Sequence, residues 1–149
     1  MKKADPPPAR ILLVDDNKLG TEARSMILTE AGYRVESAAS GEDAWEMLRK
    51  QRYDVLVTDF KMPGMTGGEL IRLIRDADLP IRIVLLSGRA AALGLTEKST
   101  GADEVIAKSS KEVGELLRAV KRLSTRPVRR GVKAEKASPA KKARNTQAS

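Results

Sequence analysis

The stretch Val55-Leu56-Val57-Thr58-Asp59-Phe60-Lys61-Met62-Pro63-Gly64-Met65-Thr66-Gly67-Gly68-Glu69-Leu70-Ile71 carries three local signals in succession. Residues 55–58 are a short, uninterrupted apolar run rich in β-branched side chains, as a strand covered on both faces requires. Residues 61–67 are broken by Pro63, Gly64 and Gly67, which favour a loop. Thr66 and Glu69 then stand at the spacing of a capping box, and Leu70, Ile71, Leu73 and Ile74 continue at helical spacing. One strand, one loop and one capped helix make a βα unit.

The same unit recurs on either side. Arg10–Val14 reads as a buried strand, followed by a helix over 17–31 with Leu19, Ala23, Met26 and Ile27 on its apolar face, stopped by Gly32. Tyr33–Ala38 is the second strand, and Ser40 caps a helix that turns Ala44, Met47 and Leu48 inward. Past the central unit, Ile81–Leu86 is the fourth strand and Ala90–Thr100 an alanine-rich helix closed by Gly101. Glu104–Ala107 is the fifth strand. Ser109 and Glu112 give a second capping box for a last helix with Val113, Leu116, Leu117 and Val120 as its stripe. Strands that alternate with helices cannot pair as hairpins. The order implies an α/β fold: a five-stranded parallel, doubly wound sheet with five helices on its two faces.

Composition narrows the chemistry. The 149 residues are 41% hydrophobic, enough for one core, but only 3% aromatic, so Val, Ile, Leu, Met and Ala must build it. Trp45, Met62 and Met65 are read as packing in or over that core. The chain has no Cys and no His, which excludes disulfides, thiol chemistry, the usual zinc sites and nucleophile–histidine machinery. No apolar run approaches the ~20 residues of a membrane helix, and the start lacks the apolar stretch of a signal peptide. A cytoplasmic protein without membrane insertion is expected.

The net charge of +8 is unevenly placed. Residues 124–149 hold eight basic groups against one acid, Glu135, which leaves 20 basic and 19 acidic groups of the totals 28 and 20 for the rest of the chain. The expected organisation is therefore a disordered lead-in over 1–8, a near-neutral folded unit over 9–123 and a disordered basic tail over 124–149. The tail either contacts DNA, RNA or another anionic partner electrostatically or is a solubilising extension without one.

In a doubly wound sheet, function collects at the carboxyl ends of the strands near the point where strand order reverses. Those ends carry Asp15 and Asp16, Asp59, Ser87 and Lys108. Singly, each has a plainer reading: a strand-end aspartate as a helix cap or turn former, the lysine as a solvated surface group. Together they bring three carboxylates, a hydroxyl and an amine to one rim. Crowded carboxylates repel unless a cation lies between them, and an all-oxygen set favours a hard divalent ion, Mg²⁺ first. Such a rim suits phosphoryl chemistry, with the lysine and hydroxyl orienting phosphoryl oxygens and a carboxylate as nucleophile.

Val14-Asp15-Asp16-Asn17, the run from Asp59 to Gly67 (D-x-x-M-P-x-M-x-G), Ser87-Gly88, Gly101-Ala102-Asp103 and Lys108 resemble the receiver domain of bacterial two-component response regulators, over residues 9–123. The resemblance implies a flavodoxin-like strand order of 2-1-3-4-5. It implies that Asp59 accepts a phosphoryl group from a sensor histidine kinase or phosphotransfer protein, and that Asp15, Asp16, Asp59 and the Lys61 carbonyl bind Mg²⁺. It also implies that Ser87 is the hydroxyl that meets the phosphoryl group, that Gly88 leaves access to it, and that Lys108 is the counter-charge. Two positions depart from the family: Val105 stands where an aromatic switch residue is usual, and Ser109 where a proline follows the lysine. Lys61 is expected to lie over the site and alter how fast water removes the phosphoryl group.

The expected activity is thus a stand-alone phosphorylation switch that catalyses only its own phosphorylation and dephosphorylation and signals through protein contacts. A receiver-like scaffold, or a nucleic-acid-binding protein acting through the tail, is the main alternative. An aspartate-dependent phosphatase of another α/β family is disfavoured because Lys61 occupies the position where such enzymes carry a second Asp. GTPase activity is disfavoured by the absence of a G-x-x-x-x-G-K-[ST] loop.

Overall fold

The computed structural model describes residues 7–125. The elements follow in the order β1 (Arg10–Val14), α1 (Lys18–Glu30), β2 (Arg34–Ala38), α2 (Gly41–Lys50), β3 (Val55–Asp59), α3 (Gly67–Asp76), β4 (Arg82–Ser87), α4 (Ala90–Leu93), α5 (Glu97–Thr100), β5 (Glu104–Ala107) and α6 (Glu112–Thr125). All strand pairs are parallel, in the order β2-β1-β3-β4-β5. The expected basic tail beyond residue 125 and the first six residues of the expected lead-in lie outside the described residues. α6 itself extends through Thr125, two residues past the expected domain edge.

The unbroken apolar runs have a direct cause: each central strand supplies both faces of the sheet. Leu12 and Val14 of β1, Leu56 of β3, and Ile83 and Leu85 of β4 join one core with Ala44 and Leu48 of α2 and Leu70, Ile71 and Ile74 of α3. The intervening Ile11, Leu13, Val55, Val57, Val84 and Leu86 form a second core with Leu28 of α1 and Leu116, Ala119, Val120 and Leu123 of α6. Full burial of each Val, Leu or Ile side chain among these contributes ~1.5–3 kcal/mol relative to exposure. Met62 is buried, and Trp45 and Met65 pack against the first core, as the sequence suggested.

Three local expectations need correction. The alanine-rich helix over 90–100 is two four-residue helices, because Gly94 adopts φ +68° and ends α4 in the left-handed region, and Thr96 caps a fresh start for α5. The described residues therefore hold six helices rather than five. In α1 the stripe of Leu19, Ala23 and Met26 faces solvent, with Leu19 78% and Met26 62% exposed. The face turned to the sheet is Thr21, Arg24, Ser25 and Leu28, and its polar members hid it from a hydrophobic reading. In α6 the second capping box does not form. The Ser109 hydroxyl accepts from the Lys111 N–H at 3.1 Å, and the Glu112 carboxylate is drawn away to Arg24. Val113 is 45% exposed and falls off the stripe, which Ala119 and Leu123 complete.

By contrast, the Thr66–Glu69 capping box is present in both directions, at 2.9 and 3.1 Å. It fixes where α3 begins, and so fixes the loop that follows Asp59.

Candidate functional site

The strand order reverses between β1 and β3, so their carboxyl ends lie side by side: Val14 registers with Thr58, which sets Asp15 opposite Asp59. β4 and β5 continue the row, with Asp59 registered to Leu86 and Ser87 to Ala107. Asp59 and Ser87 are the last residues of their strands rather than the first loop residues, which holds them rigidly in the ladder.

Asp15, Asp16 and Asp59 each offer a carboxylate oxygen within 4.8 Å of the others. Asp15 and Asp59 are buried, at 4% and 7% exposure, whereas Asp16 is exposed. Oδ1 of Asp59 accepts from Lys108 Nζ at 2.7 Å and from the Phe60 N–H at 3.1 Å. Burial pushes the Asp59 carboxyl above the usual aspartate range; Lys108 opposes that shift and the Asp15 charge adds to it.

Ser87 is buried, and its hydroxyl accepts from the Arg89 N–H at 3.0 Å. Gly88 is exposed, and a Cβ there would meet nothing within 4 Å. Lys108 is held by its own backbone, whose N–H donates to the Ser87 carbonyl at 3.0 Å. The exposed Lys61 joins these residues around an open cleft of about 810 Å³. Asp15, Asp16, Asp59, Lys61, Ser87, Gly88 and Lys108 thus border one cleft.

The two departures from the family pattern also have structural positions. Val105 is half-buried against the first core, and its N–H donates to Glu97 Oε2 at 3.0 Å. Ser109 stands between Lys108 and α6, and its hydroxyl accepts from the Lys111 N–H.

The structure adds residues that the sequence reading missed. Arg24 Nη1 donates to Asp15 Oδ2 at 2.7 Å while its Nε donates to Glu112 Oε2 at 2.6 Å. Burial works against the guanidinium charge, but Glu112 and Asp15 together carry it above the ordinary arginine value. Thr21 Oγ1 donates to the Asp15 carbonyl at 3.3 Å. Gly67 is the other omission: a Cβ there would lie 2.3 Å from the Asp59 carbonyl oxygen, so only glycine lets α3 start against the acceptor strand. An arginine far from its partners in sequence gives no signal, whereas Gly67 already stood in a recognised motif.

The donor set suits a hard divalent cation. It is made of carboxylate oxygens alone, with no imidazole or thiolate in the chain to favour a softer metal.

Comparison with known proteins defines the class. The family model for the response regulator receiver domain matches residues 11–121, and the chain belongs to that family of signalling domains. Among its relatives, the transcriptional regulatory protein AfsQ1 of Streptomyces coelicolor is 40% identical over 105 residues, covering 68% of this chain and 44% of that protein. The probable transcriptional regulatory protein TcrX of Mycobacterium tuberculosis is 34% identical, covering 82% of this chain and 53% of its own length. The chain thus spans about half the length of the curated relatives it matches. The response regulator TrrA of Thermotoga maritima, solved in complex with Mg²⁺-BeF, is 33% identical with a TM-score of 0.70 and covers 77% of this chain and 98% of that one. The fold is that of the receiver domain, with its acidic pocket at the switch point. Among the described residues no helix is long and apolar enough to cross a membrane.

Proposed function

We propose that this chain is a phosphorylation switch of a two-component phosphorelay in which Asp59 accepts a phosphoryl group from a sensor histidine kinase or phosphotransfer protein. The observation that carries the reading is the placement of Asp59: buried, bonded to Lys108 at 2.7 Å, and within 4.8 Å of two further carboxylates.

Asp59 attacks with a carboxylate oxygen. The new O–P bond replaces the donor's P–N bond, whose electron pair leaves with the imidazole, and an acyl phosphate results. Lys108 stays beside the former carboxylate and balances charge on the phosphoryl oxygens. Ser87, whose oxygen accepts from the Arg89 N–H, donates its own hydroxyl hydrogen to a phosphoryl oxygen. The open face above Gly88 admits the donor. Asp15, Asp16, Asp59 and the Lys61 carbonyl are the groups that would hold Mg²⁺. Bound there, the ion would neutralise carboxylate repulsion and phosphoryl charge. The exposed Lys61 side chain, at the cleft mouth, modulates hydrolysis of the acyl phosphate.

We read 9–123 as the receiver unit, the cytoplasm as its location, and protein contacts as its route of output. The 124–149 segment is proposed as an electrostatic contact for an anionic partner, nucleic acid included.

The test is incubation with Mg²⁺ and acetyl phosphate or phosphoramidate, read by intact mass beside Asp59→Ala. A single phosphoryl adduct that needs Mg²⁺ and is lost in the variant supports the switch. An adduct that persists in Asp59→Ala refutes the assignment of the acceptor.

A further inference from the structure

The acidic rim is already partly neutralised by the protein itself: Lys108 lies on Asp59, and Arg24 lies on Asp15. Both oxygens of Asp15 are engaged: Oδ1 accepts from the Asn17 N–H at 2.9 Å and Oδ2 from Arg24 Nη1 at 2.7 Å. The guanidinium is not a loosely solvated group that drifts over the site. Its Nε is fixed on Glu112 at 2.6 Å, and the side chains of Arg24 and Glu112 are each only 13% exposed, that of Asp15 3%. Gly20 makes room for this arrangement, since a Cβ there would lie 3.1 Å from Arg24 Nη1 and 3.2 Å from Asp15 Oδ2. The triad joins α1, the end of β1 and the first turn of α6, three elements that meet on one face of the sheet.

A fixed cation on a carboxylate does two opposed things. It relieves the repulsion among Asp15, Asp16 and Asp59 when no metal is present. It also repels a divalent ion that approaches the same oxygen, and in a partly buried site that repulsion is poorly screened. We propose that Arg24 is a resident counter-cation of the metal-free rim: it stabilises the fold without Mg²⁺ and weakens the site's affinity for that ion. The inference rests on the reading of the rim as a Mg²⁺ site and adds a residue that sets how tightly the site binds. Arg24 acts through Asp15 and is a positioning residue.

The two outer members of the triad give opposite expectations. Arg24→Gln removes the competing charge, so Mg²⁺ binds more tightly, on the order of tenfold. The variant also melts lower than wild type without metal and gains more from Mg²⁺ than wild type does. Glu112→Gln keeps an acceptor for the Arg24 Nε–H, so the guanidinium stays on Asp15 with its charge less balanced, and Mg²⁺ affinity falls about threefold. A merely structural triad would move both variants the same way.

The experiment is calorimetric titration of MgCl₂ into wild type, Arg24→Gln and Glu112→Gln, with melting curves in the presence and absence of the ion and far-ultraviolet circular dichroism to check folding. Tighter binding in Arg24→Gln with weaker binding in Glu112→Gln supports the inference. Unchanged or weaker binding in Arg24→Gln overturns it while leaving the Mg²⁺ reading intact. If Arg24→Gln does not fold, unchanged or tighter binding in Glu112→Gln overturns it alone. Absence of Mg²⁺ binding in all three proteins refutes the metal reading itself, and the inference with it.

Discussion

Lys108 Nζ reaches across the end of β4 to lie 2.7 Å from Asp59 Oδ1, so the amine of one strand end neutralises the carboxylate of another two strands away. Ser87, on the strand between them, completes the row. Lys108→Ala is expected to slow acetyl-phosphate labelling about a hundredfold, the scale of losing one preorganised electrostatic partner. The time course of the phosphoryl adduct by intact mass checks this, and equal rates would exclude a role for the amine in transfer.

Gly67 is expected to be intolerant of any side chain. The Cβ of Gly67→Ala would stand 2.3 Å from the Asp59 carbonyl oxygen and 3.0 Å from the Phe60 Cα, both backbone atoms that cannot rotate away. The substitution should cost ~1–3 kcal/mol, as overpacking of a close contact does. Urea unfolding with an unchanged midpoint would contradict this.

Tyr53 should give the protein a specific alkaline limb. Its buried ring carries a hydroxyl that donates to Glu36 Oε1 at 2.6 Å, and burial together with Glu36 pushes the phenol from 10.0 up to about 12. For an acid whose folded value is raised, the stabilisation is complete below the unfolded value and disappears as pH rises through the folded one. Wild type should therefore exceed Tyr53→Phe by ~1 kcal/mol near neutrality, and the gap should close between pH 10 and about 12. Unfolding free energies of the two proteins across that window decide it; a constant gap is the contrary result.

Lys61→Ala is expected to lengthen the life of the acyl phosphate about threefold, because the ammonium at the cleft mouth stabilises charge as water attacks phosphorus. Decay of the adduct after removal of the phosphodonor measures it. Equal lifetimes would remove Lys61 from the chemistry.

Much of this architecture was legible because the relevant signals are local. β1 and β3 announce themselves by filling both faces of the sheet, and Thr66 and Glu69 are three residues apart in one turn. Residues at strand ends likewise gather on one rim by topology alone, because parallel strands place their carboxyl ends together. What escaped depends on contacts between distant residues. Arg24 and Glu112 are 88 positions apart, and only folding brings them into contact. The inward face of α1 was misjudged for the same reason: Arg24 and Thr21 face the sheet to serve Asp15, and their polarity made the exposed Leu19–Met26 stripe resemble the buried one. The break in the 90–100 helix stays hidden because an isolated glycine in an alanine-rich run, Gly94, does not by itself reveal a left-handed backbone.

That glycine also divides the molecule energetically. No residue of α4 or α5 is buried, and Leu93 at the end of α4 is 49% exposed. The wall that follows Ser87 and Gly88 is therefore made of two single turns with little apolar area to hold them against the sheet. Amide protons there should exchange through local opening that leaves β4 and β5 paired. Beside a rigid row of strand ends, the domain carries one segment whose order can be gained or lost while the rest of the fold stands still.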